Sequence, residues 1–349
     1  MIITALQLYQ YQIPLDRLLP VGCQRIDIRR GLVLQVEAQA ETGETLSERV
    51  EIAPLSGLDI DGNPLHGFSQ ESLAQVSDKL ESLLEKFVDA PIDHLLEITA
   101  IEALPSLAFG LSLLHAKLSG QLNGHSISQE QKIIPLLYRN SDEPLSALHQ
   151  RVRAMPAQVH SAKVKVAQTS LEEEVQLIHQ ILAIRPDLKL RLDANRGFSL
   201  EQAIDFAACI PPASIEYIEE PCQRPADNAA FYQAVAMPWA LDESLNDPTY
   251  QFSMQPGLTA LVVKPMLIGS LEKLQKLQAK AEHAGVRFIL SSSLEATLGI
   301  EALAKLSRIM TPDEIPGLDT LSAFSCDLLV SSGKARCQSL SDLTLIKSC

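Results

Sequence analysis

Several familiar signatures are missing from this chain, and each absence narrows its function. No run of 18 apolar residues occurs among its 349 residues, so no membrane-spanning helix is expected. The N-terminus, MIITALQLYQYQIPLDR, has no basic n-region and no long apolar h-region, so no signal peptide is expected. Cysteine is scarce: Cys23, Cys209, Cys222, Cys326, Cys337 and Cys349 contain no C-x-x-C pair, which argues against a structural zinc site. Free thiols in a reducing cytosol are the simplest reading, and a cytoplasmic location follows from it. Positive charge is in deficit. With 29 Lys and Arg against 43 Asp and Glu the net charge is −14, which disfavours nucleic acid and anionic membrane as partners. A small anionic substrate is not excluded, because it responds to the local field of a site. No G-x-S-x-G, G-x-G-x-x-G or Walker A sequence is present, so nucleophilic-serine, dinucleotide and P-loop chemistry lack support. The eight histidines show no metal-ligand spacing.

What is present describes a globular protein, 46% apolar and 21% charged, long enough for one barrel and a smaller domain. Residues 2–13 and 31–38 read as strands of an antiparallel sheet. A loop at 52–67, rich in Gly, Pro and Asp, is long for a compact domain and is expected to act as a lid. Ser69 is the expected N-cap of a helix striped by Leu73, Val76, Leu80, Leu83, Leu84 and Phe87. A second helical stretch is expected over 98–122. Residues 1–125 are read as an α+β cap domain, rejoined by a tail at about 330–349. From 126 to 329 short apolar strands alternate with amphipathic helices. The strands are placed at 133–137, 162–166, 188–192, 214–218, 239–241, 260–263 and 286–290, with a weak eighth before Asp319. Ser170 with Glu173 and Ser199 with Gln202 match the capping box, and Ser270 opens a further helix. This alternation predicts an α/β fold with a parallel sheet closed as a (β/α)8-type, TIM-like barrel.

Charged residues end these strands at a steady interval. From Lys165 to Asp193, Glu219, Asp242 and Lys264 the steps are 28, 26, 23 and 22 residues. Each step fits one strand, one helix of about twelve residues and two short loops. The C-terminal strand ends of such a barrel share one mouth, where active sites lie. A single acid after a strand commonly caps a helix. Three in consecutive units, continued as D-A-N-R, E-E-P-C and D-E-S, argue instead for ligands of a hard cation, Mg²⁺ or alternatively Mn²⁺. Spacing alone does not choose between Glu219 and Glu220, or between Asp242 and Glu243, since neighbours on a strand point to opposite faces. Lys163 and Lys165 point to one face, and Ala162, Val164 and Val166 to the other. Mutual repulsion of the two ammonium groups is expected to lower one pKa and make that lysine a base. Lys264 is a second candidate acid/base, or a fixed cation. Ser291 to Ser293 end the last clear strand, where backbone N–H groups and hydroxyls could bind a substrate carboxylate before a helix beginning near residue 294. Arg191, on the face of Asp193, and Asn195 with Arg196 are weaker substrate-binding candidates. Together these groups suit removal of a proton α to a carboxylate, the metal-plus-lysine pairing known for enolase-superfamily sites.

The motifs K-V-K, L-R-L-D-A-N-R, I-E-E-P-C, L-D-E-S-L, V-V-K-P-x-L-x-G-S-L-E-K, S-S-S-L-E-A-T-L-G and P-G-L-D-T, in this order, resemble the o-succinylbenzoate synthase family. That family lies in the muconate-lactonizing subgroup of the enolase superfamily. The resemblance covers about 160–320 and reaches the cap more loosely through E-I-A-P-L and G-F-S-Q-E-S-L. It implies Asp193, Glu219 and Asp242 as Mg²⁺ ligands, Lys165 as the base that then helps the hydroxyl leave, and Lys163 as its modulator. It also implies Lys264 as a cation over the opposite face, and Ser291 and Ser293 near the substrate's succinyl part. The implied reaction dehydrates 2-succinyl-6-hydroxy-2,4-cyclohexadiene-1-carboxylate to 2-succinylbenzoate, a menaquinone precursor. The sequence departs from the family pattern by an insertion at 56–65 in the cap. The rival reading is an N-succinyl amino acid racemase or dipeptide epimerase, with Lys165 and Lys264 as a two-base pair. Oligomeric state is left open.

Overall fold

The computed structural model describes residues 1–22, 24–123, 134–138 and 144–349. Long alternating segments at the N-terminus form three antiparallel strands: β1 (Ile2–Val21), β2 (Gln24–Gln39) and β3 (Thr45–Ile52). Their inward residues, among them Ile3, Leu6, Leu8, Leu34 and Val36, are fully buried under three helices. These are α1 (Leu73–Phe87), α2 (His94–Ile101) and α3 (Pro105–Leu118). Two expectations are corrected here. The N-cap of α1 is Ser72, which forms a complete capping box with Gln75, whereas the Ser69 hydroxyl accepts from the Leu55 N–H and ties the preceding loop to its own base. The stretch 98–122 is interrupted at Leu104, which is extended because it precedes Pro105, and Pro105 starts α3 at a position that needs no N–H donor. Helix α3 is buried along nearly its whole length and packs on β3 and on barrel helices.

The barrel follows as alternating strands and helices. These are β4 (Leu136–Leu137), α4 (Leu145–Ala154), β5 (Ser161–Lys165), α5 (Leu171–Ile184), β6 (Lys189–Asp193), α6 (Leu200–Ala208), β7 (Ile215–Glu219), α7 (Asn228–Val235) and β8 (Trp239–Leu241). Then come β9 (Leu258–Val263), α8 (Pro265–Ile268), α9 (Leu271–His283), β10 (Arg287–Leu290) and α10 (Thr297–Met310). Strands β4 to β10 pair in parallel in chain order. Residue 133, in the first expected barrel strand, lies outside the described residues. Beyond α10 the chain makes β11 (Asp327–Leu328) and β12 (Cys337–Gln338), and ends in β13 (Thr344–Ser348), which pairs antiparallel with β1 in the cap sheet. No helix is long and apolar enough to cross a membrane among the described residues.

The weak eighth strand is not a strand in the structure. Its place is taken by residues 315–320, which make a single bridge between Gly317 and Ser291. Side chains complete the closure. The Asp319 carboxylate accepts from the Leu136 N–H at 3.1 Å on the β4 side. Below, Arg191 donates to Glu216 (3.0 Å) and to the Ile315 carbonyl (3.0 Å), while Arg287 bridges Glu216 (3.0 Å) and Glu314 (2.7 Å). Burial alone would raise the Glu216 carboxyl, but Arg191, the Ser161 hydroxyl and Arg287 overcome this and hold it below its ordinary value. A depressed folded-state pKa stabilises the fold above the ordinary carboxylate range, and that contribution is lost as pH falls through the folded-state value. Glu216→Gln is therefore expected to lower stability near neutrality by about 2 kcal/mol. The difference should shrink as the solution is acidified below about pH 4. Urea unfolding at several pH values checks this, and a pH-independent difference would refute it.

Candidate active site

Pairing register brings the charged strand ends together. Lys165 lies beside Asp193, and Asp193 beside Glu219, on three adjacent strands. Asp242 follows β8, Lys264 follows β9, and Ser291 follows β10. Ala162, Val164 and Val166 are fully buried under the outer helices, so alternation turns Lys163 and Lys165 inward. After the strands the backbone turns sharply. Asn195, Arg196 and Glu220 have positive φ of 42°, 59° and 41°, a conformation sustained only where the surroundings fix it.

Asp193, Glu219 and Asp242 are each 1% exposed, and each offers a carboxylate oxygen within 4.8 Å of the others. Three lysines neutralise them. Lys163 donates to Asp193 (2.8 Å) and Glu219 (2.6 Å), and Lys165 donates to Asp193 (2.8 Å). Lys264 pairs with Asp242 from the other side. Burial by itself would lower the Lys163 pKa. Asp193, Glu219 and Asp242 outweigh burial and hold it well above the ordinary value. The pKa depression expected from lysine–lysine repulsion therefore does not occur at Lys163. Lys264 is likewise raised: burial opposes its charge, and Asp242 and Glu243 prevail. Burial raises the Glu219 carboxyl to about 7, helped by repulsion from Asp193 and Asp242. Asp193 is held below the usual range, since Lys163 and Lys165 overcome its burial. Three buried carboxylates without a nitrogen or sulfur donor among them suit a hard divalent cation, so the residues present fit such an ion.

The second carboxylate of each pair has a separate task. Glu220 is fully buried and accepts from the N–H groups of Asp242 (3.1 Å) and Ser244 (2.8 Å), the Ser244 hydroxyl and Arg196. It braces the turn that carries Asp242. Glu243 accepts from the Asn195 amide, whose carbonyl oxygen accepts from Lys165 at 2.5 Å. Asn195 is thereby oriented by Glu243 toward the lysine. Arg196 is engaged by Glu220 and the Ser244 hydroxyl.

A cavity with about 740 Å³ of empty space, partly open to solvent, lies over these groups. Barrel residues lining it include Lys163, Lys165, Asp193, Asn195, Lys264 and Ser291 to Ser293. Arg191 is not among them. It sits one layer deeper on β6, held by Glu216 and Ile315, and this corrects its expected substrate role. The serines line the wall, but their N–H groups are spent on Val263, Gly317 and Glu295, so these three N–H groups are not the ones that would meet a carboxylate. The next helix begins at Thr297, not near 294. Sequence reasoning missed Asp319, Thr320 and the cap residues Leu19–Gly22, Leu55 and Phe68, all of which line the cavity. The Phe68 ring lies 6.0 Å from the Lys264 ammonium. Asp319 and Thr320 stood in the P-G-L-D-T motif, a signal that was present without an assigned task. The insertion at 56–65 contributes nothing to the lining of this cavity. It folds on itself around Asp59, which accepts from the N–H groups of Asp61 and Asn63 and from Gln24.

Fold and site together define an enolase-type barrel protein with a cap domain. The profile of the family "Enolase C-terminal domain-like" matches residues 147–329, and that of "MenC, N-terminal domain" matches residues 3–118. The chain is 36% identical to o-succinylbenzoate synthase from Enterobacter sp. (strain 638), over 93% of this chain and 92% of that protein. It is 34% identical to that from Klebsiella pneumoniae (strain 342), with the same coverage. The chain belongs to the o-succinylbenzoate synthase family of the enolase superfamily. Among solved structures, o-succinylbenzoate synthase from Thermosynechococcus elongatus BP-1, complexed with Mg in the active site, aligns with a TM-score of 0.67 at 25% identity, over 89% of this chain and 92% of that one. A dipeptide epimerase from Enterococcus faecalis V583 aligns with a TM-score of 0.72 at 20% identity, over 93% and 92%, and so shares the fold.

Proposed function

We propose that this protein dehydrates 2-succinyl-6-hydroxy-2,4-cyclohexadiene-1-carboxylate to 2-succinylbenzoate, with Mg²⁺ held by Asp193, Glu219 and Asp242, or Mn²⁺ as the alternative hard cation. The observation that carries this reading is the placement of lysines on two sides of one buried carboxylate triad, in a chain of this family. A divalent cation there would supply fixed positive charge to the substrate carboxylate while its α-carbon loses a proton. Lys165, in its amine form, takes that proton. The C–O bond to the ring hydroxyl then breaks, the protonated Lys165 returns a proton to the departing oxygen, and water leaves. The electron pair of the broken C–H bond completes the aromatic ring, so the reaction is driven forward and the barrier lies in proton removal. Lys163 balances the charge of Asp193 and Glu219 beside it, and Asn195 fixes the direction of the Lys165 ammonium. Lys264 remains charged and stabilises negative charge accumulating on the substrate. Ser291 and Ser293, which line the cavity, are assigned to the succinyl arm. A cytoplasmic setting accords with the free thiols of Cys209, Cys222, Cys326, Cys337 and Cys349.

The test is a spectrophotometric dehydration assay beside a polarimetric assay on N-succinyl amino acids. Chelation of divalent metal is expected to abolish dehydration, and added Mg²⁺ to restore it, with slow racemisation throughout. Rapid racemisation without dehydration would move the function to the two-base epimerases.

A further inference from the structure

The wall of the cavity formed by Ser291–Leu294 is shaped from the cap domain. Leu294 has φ of +63°, a left-handed conformation that a branched, bulky residue adopts at a cost. Arg29, on β2, is 2% exposed and all five of its N–H donors are used. Its Nε donates to the Leu294 carbonyl at 2.8 Å and one Nη to the Ser293 carbonyl at 3.4 Å. The remaining three bonds go to the carbonyls of Arg30, Ala53 and Pro54, in the strand and the loop base of the cap. One guanidinium therefore ties the serine loop to the base of the cap segment that also supplies Leu55 to the cavity.

A second cap residue holds the far side of the same loop. Glu51, at the end of β3, accepts from the N–H groups of Ala296 (2.9 Å) and Gly299 (2.8 Å), and from the Tyr11 hydroxyl (2.6 Å). A carboxylate on the first turn of α10 satisfies donors that the helix leaves free. The approach is close enough that a Cβ at Gly299 would lie 2.9 Å from Glu51 Oε2. Between these anchors the fully buried Glu295 accepts from the Ser293 N–H (2.7 Å) and hydroxyl (2.8 Å). The charge of Arg29 acts on both buried carboxylates.

We propose that Arg29 is a positioning residue for substrate binding: through Leu294 and Ser293 it fixes the serine wall of the cavity, and thereby sets how tightly the substrate's second carboxylate arm is held. The proposal rests on the dehydration reading above. It separates Arg29 from the lysines that do the chemistry. A residue that shapes only the binding wall changes KM and leaves kcat, which depends on Lys165 and the metal site, nearly intact.

The test compares wild type with Arg29→Lys and Arg29→Ala, with activities normalised to folded protein by circular dichroism. Wild-type dehydration establishes the underlying reading by itself, and its absence would refute that reading regardless of the variants. The expected result for both variants is a rise in KM of about tenfold or more, with kcat within about threefold. Guanidinium ion added to Arg29→Ala should bring KM back toward wild type, since it refills the same five-acceptor pocket. If Arg29 merely fastens the cap, the melting temperature will fall, KM will be unchanged and guanidinium will restore only stability; this overturns the proposal. If neither Arg29 variant folds, Glu295→Gln decides. It keeps the volume but loosens the hold on Ser293, and an unchanged KM there refutes the positioning role.

Discussion

Lys165→Ala is expected to lower kcat for dehydration by about 10⁴-fold while the protein stays folded and binds metal. General acid–base catalysis by one group is worth about 10² to 10⁴, and here one side chain is assigned both the removal of the α-proton and the return of a proton to the leaving oxygen. The fold should survive because Asp193 keeps a second cation, Lys163, at 2.8 Å. Lys165→Arg should be equally inactive, since a guanidinium does not release its proton at accessible pH. Lys264 provides the contrast. It pairs with Asp242 and is held in its charged form, so its assigned task is electrostatic. Lys264→Arg should therefore retain dehydration within about 100-fold, whereas Lys264→Ala should lose about 10³. In a two-base epimerase both arginine variants would be inactive toward the amino acid substrate. Steady-state assays on the four variants check the set. Dehydration by Lys165→Ala within tenfold of wild type would sink the assignment.

The parts of this site that could be read from sequence are those fixed by strand periodicity. Lys163 and Lys165 inward, with Ala162 and Val164 outward, follow from a two-residue repeat, and the interval of charged residues follows from the length of a strand–helix unit. What could not be read depends on contacts between distant segments. Arg191 shares the face of Asp193, so periodicity cannot separate them. Only the partners, Glu216 on the next strand and Ile315 far along the chain, place it a layer below the mouth. The eighth strand was weak in sequence because it is not a strand: Pro316 lacks an N–H for a ladder, and closure there relies on ion pairs and Asp319. Ser291 to Ser293 at a strand end before a helix suggest an anion site, but sequence does not show where their N–H groups go. Val263, Gly317 and Glu295 occupy them. The same limit hid Arg29 and Glu51, which meet the serine loop across more than 240 residues of sequence.

The pair Glu219 and Glu220 gives the second large effect, because adjacent and chemically equal residues should fail in different ways. Glu219 points into the triad with a carboxylate oxygen near those of Asp193 and Asp242. Glu219→Gln would remove one of the three carboxylates proposed to hold the metal, and is expected to weaken divalent-metal affinity by at least about 100-fold and to abolish dehydration. The metal-free protein should be no less stable than wild type, because burial and two neighbouring carboxylates already disfavour the ionised Glu219. Glu220 has no place in the triad. Its two oxygens receive four hydrogen bonds, two from backbone N–H groups, one from Ser244 and one from Arg196. Glu220→Gln puts an amide donor where every neighbour also donates, leaving buried groups unpaired. A loss of about 2–4 kcal/mol in stability is expected, with metal affinity within about tenfold of wild type. Calorimetric titration with Mg²⁺ and thermal melts without metal read the two quantities separately. Retained affinity in Glu219→Gln together with its loss in Glu220→Gln would reverse the assignment, making the second glutamate the ligand and the first the brace.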